Sequence, residues 1–194
     1  MDNRKESNQP TKEELATVDI KKVTINCDMG EGIANDEALM PYIQLTNIAC
    51  GYHAGDEDTM KRTIDLALQY GVAIGAHPSY ADKENFGRTD LFLSYDEVYE
   101  LAATQIHTLY SIAKKAGATL HHVKPHGALY NKVARAKNFA AIFALAVKDV
   151  DENLKLMGLS GSHSISEAKK IGLKTISEVF CDRTYADDGK LTSR

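Results

Sequence analysis

Short apolar runs alternate with longer amphipathic stretches from Val23 onward. Most of the short runs are nearly continuous, which is typical of strands buried on both faces of a parallel sheet. The longer stretches repeat apolar residues every three or four positions, as the buried face of a helix requires. The alternation predicts an α/β domain with a parallel sheet covered by helices. Six strands are predicted, at Val23–Cys27, Asn47–Cys50, Val72–Ala76, Leu120–Lys124, Leu154–Leu159 and Leu173–Phe180.

Several helix starts carry recognisable signals. Ser94 and Glu97 have the spacing of a capping box, in which both side chains accept hydrogen bonds from free backbone N–H groups. The same spacing recurs in Ser164 and Glu167, and Asp56 is suited to cap another helix. We therefore expect helices to begin at these three places.

Residues 1–22 are too polar to bury much surface and are predicted to be an N-terminal extension. Residues 23–194 have the length of one domain and are predicted to form it. With 43% hydrophobic and 26% charged residues, the composition is that of an ordinary globular protein.

Charge and cysteine content narrow the possible partners and location. A formal net charge of -4 gives no broad basic field, so a nucleic acid is not expected as a partner. No apolar signal segment or run of 18 apolar residues occurs, so a membrane is not expected either. Three cysteines are too few for a secreted disulfide scaffold, which favours the reducing cytoplasm.

Ionisable side chains follow five of the six predicted strands. In parallel α/β folds the carboxyl ends of all strands lie on one side of the sheet, so these groups are expected to converge. A single His or Asp after a strand is more often a loop-capping residue, but recurrence at five strands favours a functional site. The clusters are Asn26–Asp28 with Glu31, His53 with Asp56, His77, Lys124 with His126, and Glu178 with Asp182 and Arg183.

Five runs of residues stand out, at Ile25–Glu31, Asn47–Asp56, Gly75–Pro78, Val123–Tyr130 and Ser177–Arg183. They resemble the successive signatures of the LamB/YcsF family, and Phe86–Arg88 is similar to another. The resemblance implies a glycoside hydrolase/deacetylase-like (β/α) barrel of about seven strands. The family pattern continues beyond residue 194, so a C-terminal unit is expected to be missing, and the loop after Asp28 is shorter than is usual for the family.

The same resemblance implies an activity. Family members act as the A subunit of an ATP-hydrolysing 5-oxoprolinase, which opens the lactam 5-oxoproline to L-glutamate together with the B and C subunits. ATP is thus an expected cosubstrate, which the partner subunits could bind, because the chain lacks a G-x-x-x-x-G-K-[ST] phosphate loop. Phosphorylation of the ring carbonyl oxygen would give an imidate that water can attack.

This chemistry suggests roles for the clustered side chains. Asp28 or His126 is expected as general base, because carboxylate and imidazole are readily tuned to accept a proton near neutral pH. Lys124 and Arg88 are expected to hold the substrate carboxylate or the phosphoryl group. Glu178 is expected as a supporting acid.

Four further residues of these clusters are candidates for supporting or binding roles. Asp182 is expected as a second supporting acid or, alternatively, as the partner of a nearby cation. Glu31, Asn26 and Arg183 are candidate substrate-binding residues.

Asp28, His53 and His77 form a possible divalent metal set, since one carboxylate and two imidazoles leave a position open for water. The alternative is a metal-free hydrogen-bonded cluster. The cysteines, which also lie near strand ends, are either buried packing residues or include a nucleophile activated by histidine.

Two other functions stay open. One is a metal-dependent carbohydrate deacetylase, suggested by the implied barrel and the metal set. The other is a non-catalytic structural subunit whose rim completes the site of a partner.

Overall fold

The computed structural model describes residues 23–187, 189, 191 and 192, so the predicted extension at residues 1–22 lies outside the described residues. The described residues form one sheet of six parallel strands in the order β1 to β6. All six predicted strands are confirmed, with ends shifted by up to three residues. The strands are β1 Asn26–Met29, β2 Leu45–Ala49, β3 Ala73–His77, β4 Leu120–Val123, β5 Lys155–Leu159 and β6 Lys174–Glu178.

Helices connect successive strands and cover the outer face of the sheet. A short helix α1 (Asp36–Leu39) and a 3-10 turn (Met40–Tyr42) lie between β1 and β2. The others are α2 (Glu57–Tyr70), α3 (Tyr95–Lys115), α4 (Gly127–Arg135), α5 (Lys137–Val150) and α6 (His163–Lys170).

Two of the three predicted helix starts are confirmed. The Asp56 carboxylate accepts a hydrogen bond from the Thr59 amide at the start of α2, and Ser94 and Glu97 form a complete capping box at the start of α3. The prediction for Ser164 is wrong, because α6 begins earlier, after Ser162. Ser164 is instead buried inside the helix, where it packs near Gly158 of β5.

The core lies between the sheet and the helices that cover it. Fully buried apolar side chains come from the strands, such as Ile48, and from the helices, such as Ile64, Ile106 and Phe143. The inward face of the sheet is different, because it carries polar residues that are also buried. Burial of these polar groups is tolerable only if they are hydrogen-bonded to one another.

The sheet curves so far that its two edge strands face each other across the interior. The Nδ2 of Asn26 in β1 donates to the Oε1 of Glu178 in β6 at 2.9 Å, although these strands lie at opposite ends of the strand order. The α/β barrel-like fold class is therefore confirmed, with six strands among the described residues. In that part of the chain no helix combines the length and the apolar character needed to cross a membrane.

Candidate active site

A cavity of about 990 Å³ opens at the carboxyl ends of the strands. It collects side chains that are far apart in sequence, as the strand-end rule requires. Among the predicted residues, those that line it are Asp28, Glu31, His77, Arg88, Lys124, His126 and Arg183. His53, Asn26 and Glu178 contact these lining residues from behind.

Lys124 sits between two carboxylates at the base of the cavity. Its ammonium nitrogen lies 3.1 Å from Asp28 Oδ1, 2.9 Å from Glu178 Oε1 and 3.1 Å from Asn26 Oδ1. Burial lowers the pKa of Lys124, but the two carboxylates outweigh this effect and raise it above its ordinary value. Because an ammonium has three N–H bonds, these partners use its full donor capacity.

The two oxygens of Asp28 have different surroundings. Its Oδ1 accepts hydrogen bonds from Asn47 and Lys124, whereas its Oδ2 lies 3.4 Å from His77 Nε2. Burial opposes ionisation, but the neighbouring His77 and Lys124 hold the pKa of Asp28 well below its usual range. Asp28 is therefore an ionised carboxylate, and 35% of its side-chain surface stays exposed.

Glu178 is held more tightly. Its Oε1 contacts Asn26 and Lys124, and its Oε2 accepts a hydrogen bond of 3.0 Å from the Tyr130 hydroxyl in α4. Burial and the adjacent carboxylate raise the pKa of Tyr130, so the phenol stays a donor. These contacts tie β6 and α4 to the base of the cavity.

Three histidines and Glu31 form a compact group beside Asp28. The rings of His53 and His126 stack with centroids 3.8 Å apart, and His77 meets both rings edge-on. Glu31 Oε1 lies 2.9 Å from His53 Nε2, 3.4 Å from His126 Nδ1 and 3.9 Å from His77 Nε2. One carboxylate oxygen is therefore shared by three imidazoles.

The hydrogen bonds of this group leave two lone pairs facing each other. His77 Nδ1 lies 2.7 Å from the Lys124 carbonyl and His126 Nε2 lies 2.9 Å from the Phe86 carbonyl, so each of these nitrogens must carry a proton. In neutral rings the remaining nitrogens, His77 Nε2 and His126 Nδ1, are then both acceptors, yet they lie only 2.9 Å apart. Such a contact calls for a shared proton or a cation.

A divalent cation would fit this group. Burial lowers the pKa of His126 to about 3 and also lowers that of His53, so both rings favour the neutral form that a metal ligand requires. Neutral imidazoles with a carboxylate are ordinary ligands of zinc and similar ions. The candidate metal group is Glu31, His53, His77 and His126, whose ligand atoms lie within 4.8 Å of one another.

This group differs from the metal set predicted from the sequence. His53 and His77 belong to both, but Glu31 and His126 take the place of Asp28. The reason lies in the backbone after β1 and β4, which brings Glu31 and His126 onto the two histidines, while Asp28 binds Lys124 and Asn47 through Oδ1. Asp28 is adjacent to the group through His77 only.

The loop at residues 82–88 closes over these histidines. Phe86 has a positive φ of 56°, which is uncommon for an aromatic residue and directs its carbonyl to His126. Gly87 leaves no room for a side chain, because an added Cβ would lie 2.9 Å from His53 Cβ and 2.1 Å from Ser79 Oγ. This close packing accounts for the Phe86–Arg88 motif.

Comparison with known proteins agrees with the geometry. The family model described as LamB/YcsF family matches residues 23–194. The chain belongs to the LamB/YcsF family. A protein from Shouchella clausii, named as the A subunit of 5-oxoprolinase, is 54% identical over 177 residues, which cover 89% of this chain and 70% of that protein.

Two further family relatives support the assignment. A protein from Clostridium kluyveri with the same name is 49% identical over 178 residues, with 89% of this chain and 70% of that protein covered. The crystal structure of a lactam utilization protein from Thermus thermophilus superposes with a TM-score of 0.85 at 41% identity. That match covers 90% of this chain and 72% of the other.

Three of the predicted site residues lie farther from the histidines, namely Arg88, Arg183 and Asp182. Arg88 lines the cavity, and its guanidinium carbon is 5.2 Å from the centre of the Phe86 ring. Arg183 also lines the cavity and donates to the Thr192 carbonyl at 2.6 Å. Asp182 is exposed in the turn after β6 and is not among the residues that line the cavity.

The cysteines are all free, and two of them are poorly suited to nucleophilic chemistry. Cys50 is buried, and burial raises the pKa of its thiol to about 12. Burial and the neighbouring Asp28 raise the pKa of Cys27 as well. The reactive thiolate is therefore suppressed at both positions, which favours the packing interpretation, while Cys181 is exposed.

Sequence reasoning missed three residues of the site. Asn47 and His122 are buried on the inward face of the sheet. Asn47 donates to Asp28, His122 contacts Asn47, and Tyr130 contacts Glu178. The available signal was polar residues inside otherwise apolar strands, which a buried strand accepts only when they are paired. Tyr130 gave no such signal, because it lies on an amphipathic helix.

Proposed function

We propose that this chain works as the A subunit of a 5-oxoprolinase and hydrolyses the lactam of 5-oxoproline to L-glutamate. The observation that carries the proposal is the identity of 48–54% to proteins named as this subunit, over about nine tenths of the chain. ATP hydrolysis drives the reaction, and the partner B and C subunits complete the enzyme and contribute to ATP binding. The unpaired thiols fit a reducing compartment, the cytoplasm.

The cavity offers groups for each part of this reaction. Arg88 and Arg183 line the cavity and suit the carboxylate of 5-oxoproline, which a guanidinium binds with two parallel hydrogen bonds. Asp28 directs Oδ2 towards His77 and is suited to orient the attacking water. Lys124 holds Asp28 and Glu178 in place rather than binding substrate, because its three donors already have acceptors.

The group of Glu31, His53, His77 and His126 would hold a divalent metal. When bound, such an ion lowers the pKa of water and stabilises negative charge on oxygen. The Lys124 and Phe86 carbonyls accept hydrogen bonds from His77 and His126 and so fix the tautomers in which these rings would bind the ion. This arrangement is the usual way in which an outer hydrogen bond orients a ligating imidazole.

Turnover by the assembled complex tests the proposal. The chain is co-expressed with the B and C subunits, and glutamate released from 5-oxoproline is measured with and without ATP. Asp28→Asn should lower kcat by on the order of 10²-fold or more. Asp58→Asn, which changes an exposed carboxylate on α2, serves as the matched control and should leave kcat unchanged.

Two results would contradict the proposal in different ways. Absence of ATP-dependent glutamate release by the wild-type complex would reject the activity. Normal turnover by Asp28→Ala and His126→Ala complexes would instead mean that this chain has a purely structural role in the complex.

A metal-dependent carbohydrate deacetylase is the second candidate, favoured by the cluster of Glu31 with three histidines. That activity would release acetate from an N-acetylated sugar without ATP and would be abolished by a chelator. Acetate release by the isolated chain distinguishes it from the first candidate.

A further inference from the structure

A chain of hydrogen-bonded side chains runs through the barrel interior beneath the cavity. Lys155 Nζ lies 2.7 Å from His121 Nε2, and His121 Nδ1 lies 3.1 Å from His122 Nδ1. His122 Nε2 lies 2.8 Å from Asn47 Oδ1, and Asn47 Nδ2 lies 2.8 Å from Asp28 Oδ1. Asn47 and His122 are fully buried, so the contact between them is shielded from water.

The direction of the chain is fixed from its cavity end. The Lys124 ammonium can only donate hydrogen bonds, so Asn26 Oδ1 and Asp28 Oδ1, which each lie 3.1 Å from its nitrogen, are both acceptors. The amide nitrogen of Asn47 must therefore face Asp28, and its second N–H meets Asn26 Oδ1 at 2.7 Å, which also accepts from Lys124. Asn47 then has only its oxygen left to face His122.

The donor and acceptor at each remaining contact, from His122 to Lys155, follow in the same way. His122 must donate from Nε2 to the Asn47 oxygen, and because burial lowers the pKa of His122 to about 3, the neutral ring has only that one N–H. Its Nδ1 therefore accepts from His121 Nδ1, and His121 Nε2 accepts from Lys155. Every link pairs one donor with one acceptor, and all point towards Asp28.

Gly75 makes this chain possible. Asp28, Asn47, Gly75 and His122 are register partners on the neighbouring strands β1 to β4. A Cβ on Gly75 would lie 2.2 Å from His122 Nε2, so the imidazole occupies the space where a side chain on β3 would be. The missing side chain lets His122 reach across one strand to Asn47.

We infer that His122 and Asn47 are positioning residues, which together hold the Asp28 carboxylate with Oδ1 bound and Oδ2 presented to the cavity. The inference rests on the proposed function, because Asp28 is taken there to orient the attacking water. The chain does not conduct protons, since the amide of Asn47 has no proton that it can pass on at neutral pH. Its effect is to hold Asn47 in place, because without the N–H of His122 the buried oxygen of Asn47 has lost its donor and the amide that supports Asp28 Oδ1 can shift.

The tautomer of His122 tests the geometry without any assay of activity. In the ¹⁵N-labelled full chain, long-range ¹H–¹⁵N correlation spectra should show a protonated Nε2 and an unprotonated Nδ1 for His122 at pH 7. The resonance is assigned by its loss in His122→Gln. A His122 ring protonated on Nδ1 and not on Nε2 would reverse the direction of the hydrogen bonds and overturn the inference.

Kinetics of the assembled complex test the consequence. His122→Phe keeps a ring but has no donor for Asn47, so kcat should fall by about 10–10²-fold with little change in KM, as expected when a reacting group is misplaced by about 1 Å. His122→Gln places an amide N–H near the position of Nε2 and should recover most of the lost kcat. Thr46→Val, a fully buried isosteric change on the same strand as Asn47, is the control and should leave kcat unchanged.

The outcomes separate the inference from the proposed function. Wild-type kcat in His122→Phe, or an equal loss in the Phe and Gln variants, rejects the positioning role. If His122→Phe fails to fold, the tautomer and the kinetics of His122→Gln decide. If the wild-type complex releases no glutamate, the proposed function fails. The hydrogen-bond chain is still supported if hydrogen exchange of the Asn47 side-chain amide is slow in wild type and in His122→Gln but not in His122→Phe.

Discussion

Removing the Lys124 ammonium should destabilise the fold strongly. The Lys124 and Glu178 side chains are only 6% and 4% exposed, so Lys124→Met leaves a buried carboxylate without its cation, close to a second one on Asp28. Breaking a buried ion pair costs about 3–5 kcal/mol, and the lower limit of about 3 kcal/mol applies because Asp28 is partly exposed and keeps its Asn47 contact. For a chain of this size the unfolding midpoint should fall by about 6–12 °C.

Urea unfolding followed by circular dichroism at pH 7 measures the loss in the free energy of unfolding. Lys132→Met is the matched control, because Lys132 forms a more exposed ion pair with Asp90 at 3.3 Å, and such pairs contribute about 0–1 kcal/mol. Adding Glu178→Gln to Lys124→Met should recover part of the stability, since it removes the unpaired charge. A Lys124→Met protein no less stable than Lys132→Met would refute the reasoning.

Three further changes probe the interior and the metal group. Gly75→Ala should lower the free energy of unfolding by about 1–3 kcal/mol through overpacking against His122, and urea titration should show a smaller combined loss with His122→Ala than the sum of the two. Since the folded pKa of His122 is about 3 and its unfolded value about 6.5, only the unfolded state gains this proton as pH falls from 6.5 towards 3. Wild type should therefore lose stability relative to His122→Gln by up to about 1.4 kcal/mol per pH unit in that window, and parallel pH curves would contradict this. Zn²⁺ at 100 times its Kd should stabilise the metal-free chain by about 2.7 kcal/mol in thermal unfolding, a chelator should reverse the shift, and Glu31→Gln should remove most of it.

The strands could be predicted because their apolar runs are short and bounded by clear changes in composition. Helix starts were predictable where one side chain decides them, as at Asp56 and Ser94. The start of α6 was not, because Ser162 and Ser164 are both suitable caps, and the packing of Ser164 against Gly158 decides between them. Such packing depends on the neighbouring strand, which the local sequence does not specify.

The site was predictable in composition but not in its contacts. Because the carboxyl ends of parallel strands converge, the sequence was enough to predict that Asp28, His77 and Lys124 share one cavity. It could not decide that Glu31 rather than Asp28 joins the histidines, because that depends on the path of the loop after β1. The contact of His122 with Asn47 was hidden too, since it depends on a glycine between them in the strand register.

The hydrogen bonds divide the cavity into two parts with different chemistry. At the base, Lys124 is saturated and Asp28 Oδ2, Glu31 Oε1 and two imidazole nitrogens present acceptors. The cavity is also lined by the guanidinium groups of Arg88 and Arg183. An anionic lactam suits this division, because its carboxylate is repelled by the acceptors and attracted to the arginines, which leaves its ring amide facing the acceptor groups that would orient water or hold a metal.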